Sequence, residues 1–240
     1  MISLAPAAPS APDMAAPDIF GYQNRVSDSI AAAIEKAGVK HAVILSSYGA
    51  DKSEKTGPVL GLRHMEEKLK RIVSLNALYL RAAYFMENTL AQIGTIQAMG
   101  KAAGPLRGDL KTPMIATRDI GVAAANALLA LAFRGHQSRE LLRQRDISMD
   151  EVTRIIGTAM SKPDLSYIHL PNEQVRPFLI QMGASPNAAD VILELAEALN
   201  SGHINPQEQR SAANTTPTSY ETFVKEEFMP RMSQIRNTAS

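Results

Sequence analysis

The chain has 240 residues, 45% hydrophobic and 20% charged, enough to bury a real core as one domain or as one domain with a small appendage. Its 25 basic and 24 acidic residues leave a formal net charge of +1, which gives no electrostatic footprint for nucleic acid or an anionic membrane. There is no cysteine, which excludes disulfides, thiolate nucleophiles and cysteine-ligated zinc, and the five histidines (His41, His64, His136, His169, His203) form no close ligand pair, so no metal site is expected.

Residues 2–4 are a short apolar run, and proline and alanine then dominate to Pro17. The segment reads either as a Pro/Ala tail or as a strand end followed by a loop. Asp18 is placed to cap a helix whose Tyr22, Val26, Ile30, Ala33, Ile34 and Ala37 fall at helical spacing, with Gly38 as its stop. Residues 39–45 are a continuous β-branched and aliphatic run, the pattern of a strand buried on both faces in a parallel sheet. A polar loop at 51–57 leads to a helix over 62–73, with Leu62, Met65, Leu69 and Ile72 inward, and to a second strand over 75–80. Helix, strand, helix, strand with short connections means parallel strands and right-handed crossovers.

Beyond Asn88 the spacing predicts a helix over 89–99, a glycine-containing loop at 100–111, a short strand at 113–116 and a long Ala/Leu helix at 122–133 capped by Asp119. A strand at 139–144 follows, and Ser148 with Glu151 forms a capping box that opens a helix to Met160. Residues 165–170 alternate like a strand, and residues 171–182 form a helix stopped by Gly183. Ser185 with Pro186 starts another helix, with Val191, Leu195 and Leu199 on its core face. After a turn-rich loop at 201–217, a helix at 218–228 docks through Phe223 and Phe228, and residues 231–240 fray. The first half is therefore α/β with a parallel sheet, and the second half mostly helical with short strands. No apolar run approaches a membrane span, and the N-terminus lacks the basic and apolar regions of a signal peptide, so a cytoplasmic location is expected.

Candidate chemistry gathers where strands end, because open parallel sheets bind ligands outside the carboxyl ends of their strands. Ser46 and Ser47 close the first buried strand. Their hydroxyls can bond a substrate carbonyl or simply end the strand in a turn, and the second reading is favoured when they are taken alone. Tyr48 and Lys52 match Y-x-x-x-K, but that acid pair needs both groups one helical turn apart on a rigid helix. Here the spacing falls on a loop, so the match is read as coincidence. Arg81 closes the next strand and can reach over the sheet edge, while Tyr84 and Phe85 can wall a planar ring or serve as ordinary core aromatics. Glu66 either braces the neighbouring strand end or belongs to a solvated face with Glu67, Lys68 and Lys70, the commoner case.

Residues 37–41 (AGVKH) with LSSYGAD at 45–51, LRHMEEKL at 62–69, LRAAYFMEN at 80–88, TRDIG at 117–121, residues 148–157, Gly183-Ala184-Ser185 and TTPTSYETF at 215–223 together resemble the NmrA-like family, an atypical branch of the short-chain dehydrogenase/reductase superfamily. The resemblance runs from about residue 2 to residue 230 and rests on the order and spacing of these pieces rather than on any one motif. It implies an α/β fold: a partial Rossmann-like parallel sheet flanked by helices over residues 1–135, with a smaller, mostly helical substrate-side subdomain over residues 136–230. It also makes residues 2–4 resemble a strand of that sheet. The family binds NADP(H) or NAD(H); some members reduce quinones, azo dyes or similar acceptors, and others are redox-sensing regulators. By position, Pro6, Ser46, Ser47, Ala83, Tyr84 and Phe85 would face the cofactor, while Arg81, Glu87 and Asn88 would shape the acceptor pocket. No catalytic acid is assigned, because hydride transfer needs mainly cofactor and acceptor stacked in the right geometry.

The departure from the family lies in what is missing. No G-x-G-x-x-G and no G-x-x-x-x-G-K-[ST] occurs in the 240 residues, and that loop is where a dinucleotide pyrophosphate would sit. The sequence thus reads as an NmrA-like chain without the opening segment, about 60–70 residues by the size of a βαβ unit. The expectations are an exposed sheet edge, poor solubility and little dinucleotide binding. Two functions stay open: an NAD(P)H-dependent oxidoreductase on a small acceptor, and a non-catalytic protein that senses NADP(H).

Overall fold

The structure is a computed structural model that describes residues 14–238; Pro6 and the apolar run at 2–4 lie outside the described residues. Helix α1 (Ile19–Lys36) begins at Asp18, whose carboxylate accepts the Gly21 N–H at 2.9 Å, and ends where Gly38 takes a left-handed conformation at φ 61°. Strand β1 (His41–Ser47) follows, two residues later than the apolar run suggested. Helix α2 (Val59–Leu69) starts and stops about four residues earlier than its pattern, because Pro58 opens it and residue 73 is 94% exposed and cannot face a core. Strand β2 (Asn76–Ala82) pairs in parallel with β1, with Ser46 beside Arg81.

A short strand β3 (Tyr84–Phe85), a 3-10 turn (Met86–Ala91) and α3 (Gln92–Met99) come next, then β4 (Ala102–Gly104) inside what reads as a loop. Strand β5 (Met114–Ile115) pairs in parallel with β3. Helix α4 (Thr117–Ala130) is followed by β6 (His136–Arg143), which adds to β2 in parallel and sets Glu140 beside Arg81. Asp119 is not the N-cap of α4. It sits inside the first turn, its carboxylate accepts the Thr218 N–H and hydroxyl at 3.0 and 2.8 Å, and Glu87 instead accepts the Thr117 N–H at 2.9 Å.

Helix α5 (Met149–Ala159) carries the expected capping box between Ser148 and Glu151. Strand β7 (Tyr167–His169) pairs with β4, and α6 (Asn172–Gln181) and α7 (Pro186–Asn200) follow, with Ser185 accepting the Ala188 N–H at 3.0 Å. Strand β8 (Thr215–Thr216) joins β6, so the main sheet runs β1-β2-β6-β8 with every pairing parallel. The chain closes with α8 (Tyr220–Phe223), a π-turn (Val224–Phe228) and α9 (Met229–Thr238), which carries helix through the segment expected to fray.

Alternation along the strands divides the core. Ala42, Ile44, Ala77 and Tyr79 face α1 and α2, packing against Ile34, Met65 and Leu69. Val43, Leu78, Leu80 and Leu141 face α4 through Ile120 and Ala124. The largest cluster draws Tyr48, Met86 and Met114 together with Val152, Ile156, Phe223 and Phe228, so the closing helices seal against residues from the first half. Phe223 and Phe228 are both fully buried, each worth roughly 1.5–3 kcal/mol of burial.

Candidate functional site

The carboxyl ends of β1, β2 and β6 lie side by side, with Ser46, Arg81 and Glu140 in register across them. Behind them stands Glu66 of α2, whose side chain is 2% exposed. Its Oε1 accepts the Ser46 hydroxyl at 2.7 Å and Arg81 Nε at 3.0 Å, and its Oε2 accepts Arg81 Nη2 at 2.7 Å. Lys70 Nζ approaches the same Oε2 at 3.4 Å from the surface. The helix period delivers this: Glu66 follows Leu62 and Met65 on the buried side of α2, so it belongs to the core face and braces the strand end. A buried carboxylate survives there because a bidentate guanidinium and a hydroxyl satisfy it. The Glu66 bond also holds the Arg81 guanidinium above its ordinary range.

Glu140, missed in the sequence, is equally buried. Its carboxylate accepts the N–H groups of Gln207 (3.1 and 2.9 Å) and Glu208 (2.9 Å), while Glu208 Oε1 accepts the Glu140 N–H at 2.9 Å. His203 meets the Glu54 carbonyl at 3.0 Å, and Ile204 fills the space where Gly49 lacks a side chain. The loop that carries α7 into β8 is thereby strapped across the strand ends. A carboxylate directly before the two apolar residues of β6 (Glu140 before Leu141 and Leu142) was the available signal.

The structure distributes the expected site residues unevenly. Ser46 is buried and its hydroxyl is held by Glu66, so it faces α2 rather than the crevice. Ser47 is half-buried and donates to the Tyr48 carbonyl at 3.0 Å. Ala83 is buried against the α4 side of the sheet. Tyr84 and Phe85 form a strand with β5; the Tyr84 phenol bonds Asn88, and burial holds its pKa at about 12. Glu87 Oε1 accepts both the N–H and hydroxyl of Thr117, at 2.9 and 2.6 Å, and so tethers α4. Arg81 is held by the same Glu66 as Ser46, with its side chain 15% exposed. Tyr48 and Lys52 do not form a dyad. Tyr48 turns into the core with its hydroxyl 3.1 Å from Thr112 Oγ1, burial raises its pKa, and Lys52 pairs with Asp51 at 3.3 Å.

A groove of about 750 Å³ lies elsewhere, between the start of β1 (Val39, His41) and the far end of α4 (Ala125, Leu129). It sits at the amino end of the strand, is mostly apolar and lacks converging polar groups. It is uncovered surface beside the edge of β1 that has no strand partner among the described residues, rather than a ligand site. Among the described residues no group of three or more His, Asp or Glu is arranged to hold a metal, and no helix is long and apolar enough to cross a membrane.

Known proteins share this arrangement. A nucleoside-diphosphate-sugar epimerase of Staphylococcus aureus superposes with a TM-score of 0.74 at 16% identity, over 94% of this chain and 76% of that one. The NADPH-dependent quinone oxidoreductase of Escherichia coli, solved with NADPH, gives 0.67 at 19% identity, over 90% and 71% of the two chains. At these identities the likeness is one of fold: a parallel, helix-flanked, Rossmann-like sheet. By sequence, the (4-alkanoyl-5-oxo-2,5-dihydrofuran-3-yl)methyl phosphate reductase of Streptomyces griseus is 27% identical over 177 residues, 73% of this chain, and the match spans 61% of that reductase. Residues 15–229 match the NmrA-like family, and the chain belongs to that family.

Proposed function

We propose that this NmrA-like protein is an NAD(P)H-dependent oxidoreductase for a quinone, azo-type or similar small acceptor, with nicotinamide and acceptor stacked over the carboxyl ends of β1 and β2. The observation that carries this reading is the pair of adjacent parallel strands ending in register at Ser46 and Arg81, on the edge where open α/β sheets hold ligands. The residues present fit the nicotinamide end of a dinucleotide, where Arg81 offers a donor. They do not fit the pyrophosphate end, since the 240 residues contain no glycine-rich strand-to-helix turn. We therefore assign no chemical step through the cofactor, and expect these residues on their own to bind the dinucleotide weakly.

A second reading, a non-catalytic protein that senses NADP(H), is favoured by one observation: Tyr48 is buried on Thr112 and separated from Lys52, so the one acid pair suggested by the sequence is not assembled. NADPH titration by thermal shift, followed by NADPH oxidation with a quinone and azo-dye panel, separates the two. Acceptor-dependent turnover supports the reductase, and tight binding without turnover supports the sensor. A clear, saturable rise in Tm would overturn the expectation of weak binding, and neither binding nor turnover would remove the reductase reading for this chain.

A further inference from the structure

The strand-end polar atoms are almost all taken. Ser46 donates to Glu66, Ser47 donates to the Tyr48 carbonyl, Tyr84 bonds Asn88 and Glu87 Oε1 holds Thr117, while the buried Glu87 Oε2 has no partner among the described residues. Arg81 gives Nε and Nη2 to Glu66, but its third guanidinium nitrogen, Nη1, has no hydrogen bond to the described residues, and the Arg81 side chain is 15% exposed. Acidic groups outnumber basic ones around it: Arg81 and the exposed Lys70 stand against Glu66, which touches both, Glu140, which is beside Arg81 in register, and Glu208, which accepts the Glu140 N–H. A guanidinium stays protonated at any ordinary pH, so pairing removes its net field without removing its remaining donors.

Resting on the reductase reading, we propose that Glu66 sets the specificity of the strand end: it cancels the Arg81 charge while leaving Nη1 to donate to a neutral carbonyl oxygen of the ligand, and it thereby disfavours an anionic group there. A carboxylate or phosphate gains little Coulomb attraction at a neutralised site and is repelled by two buried carboxylates, whereas a carbonyl needs only the hydrogen bond. The carbonyl can belong to a nicotinamide carboxamide or to the acceptor, and the two sources are separable.

The test uses small probes that need no pyrophosphate cradle, so it remains informative if the chain neither binds NADPH nor turns over. Dissociation constants are measured by NMR titration for two near-isosteric pairs, nicotinamide with nicotinate and acetophenone with benzoate. The wild-type chain should favour the neutral member in at least one pair. Preference in the nicotinamide pair identifies the cofactor as the source, and preference in the acetophenone pair identifies the acceptor. In Glu66→Gln the Arg81 charge is no longer cancelled, and the neutral-to-anion affinity ratio should swing toward the anion by roughly tenfold, the scale of one unscreened charge near the surface. Should that variant fail to fold, Glu66→Met with Arg81→Met replaces the buried pair by apolar side chains and should abolish the neutral preference. No preference in the wild type, a preference for the anion, a ratio unmoved in folded Glu66→Gln, or a preference retained in the double variant would each overturn the proposal.

Discussion

Asp119 shows how one carboxylate can join two distant parts of the chain. It lies in the first turn of α4, is buried, and accepts both the N–H and the hydroxyl of Thr218, the residue just before the closing helices. Asp119→Ala should leave both Thr218 donors unpaired and cost about 2–3 kcal/mol in urea unfolding, by the usual worth of hydrogen bonds to a charged group. Thr218→Val keeps the backbone bond but removes the hydroxyl that donates to Asp119 and accepts from Arg118 Nε, and should cost less than Asp119→Ala. Equal losses in the two variants would show that the backbone bond contributes nothing. Asp119 and Glu66 mark the limit of reading residues singly. In the sequence Asp119 reads as a helix cap and Glu66 as either a brace or part of a solvated face; both are buried because a partner roughly 15 to 100 residues away neutralises or satisfies them, which local spacing cannot reveal.

Among elements, the β1–α2 connection has the least freedom. Gly57 sits at φ 58° and its N–H donates to Glu194 Oε1 at 3.0 Å, while an added Cβ would lie 2.3 Å from the Val191 carbonyl of α7. Gly57→Ala thus combines left-handed strain with a backbone clash and should destabilise by more than ~1 kcal/mol, measured as a loss of Tm. Gly135, also left-handed but with open space around its Cβ position, should tolerate alanine with the strain cost alone. Caps and periods made the elements themselves legible: Asp18, the Ser148–Glu151 box and Ser185 each do what their spacing suggested. The misses are β3, β4 and β8, each two or three residues long. Strands that short have no period to read; they exist because a distant partner offers a hydrogen-bonding edge.

On the scale of the molecule, two properties follow from what is covered and what is not. Burial raises the phenol pKa of Tyr48, Tyr79, Tyr84, Tyr167 and Tyr220. A raised folded-state pKa means the native chain keeps protons that the unfolded chain loses. Stability should therefore hold below pH ~10, the ordinary phenol value, and fall as pH rises beyond it. Phenolate absorbance should then appear together with the loss of circular dichroism. A smooth phenolate titration in a chain that stays folded would contradict the burial.

The second property is association. Residues 120–133 carry no charge, yet Val122 and Leu129 of α4 are 59% and 85% exposed beside the edge of β1 that has no partner among the described residues. An apolar strip beside an open strand edge favours self-association. Leu129→Lys should lower light scattering at high protein concentration with a change in Tm of under ~0.5 kcal/mol equivalent. Unchanged scattering would place the sticky surface elsewhere.

The sequence by itself determined the parallel α/β layout, the family, most helix caps and the position of Ser46 and Arg81 at strand ends, because these depend on local periodicity, local capping and the order of motifs along the chain. Only the tertiary structure decided which groups at those ends remain available. It turned Ser46 onto Glu66, buried Tyr48 on Thr112, tied Glu87 to Thr117 and left the Arg81 side chain partly exposed. Hydrogen-bond partners far apart in sequence compete for the same side-chain atoms, and which of them wins is set by packing in three dimensions.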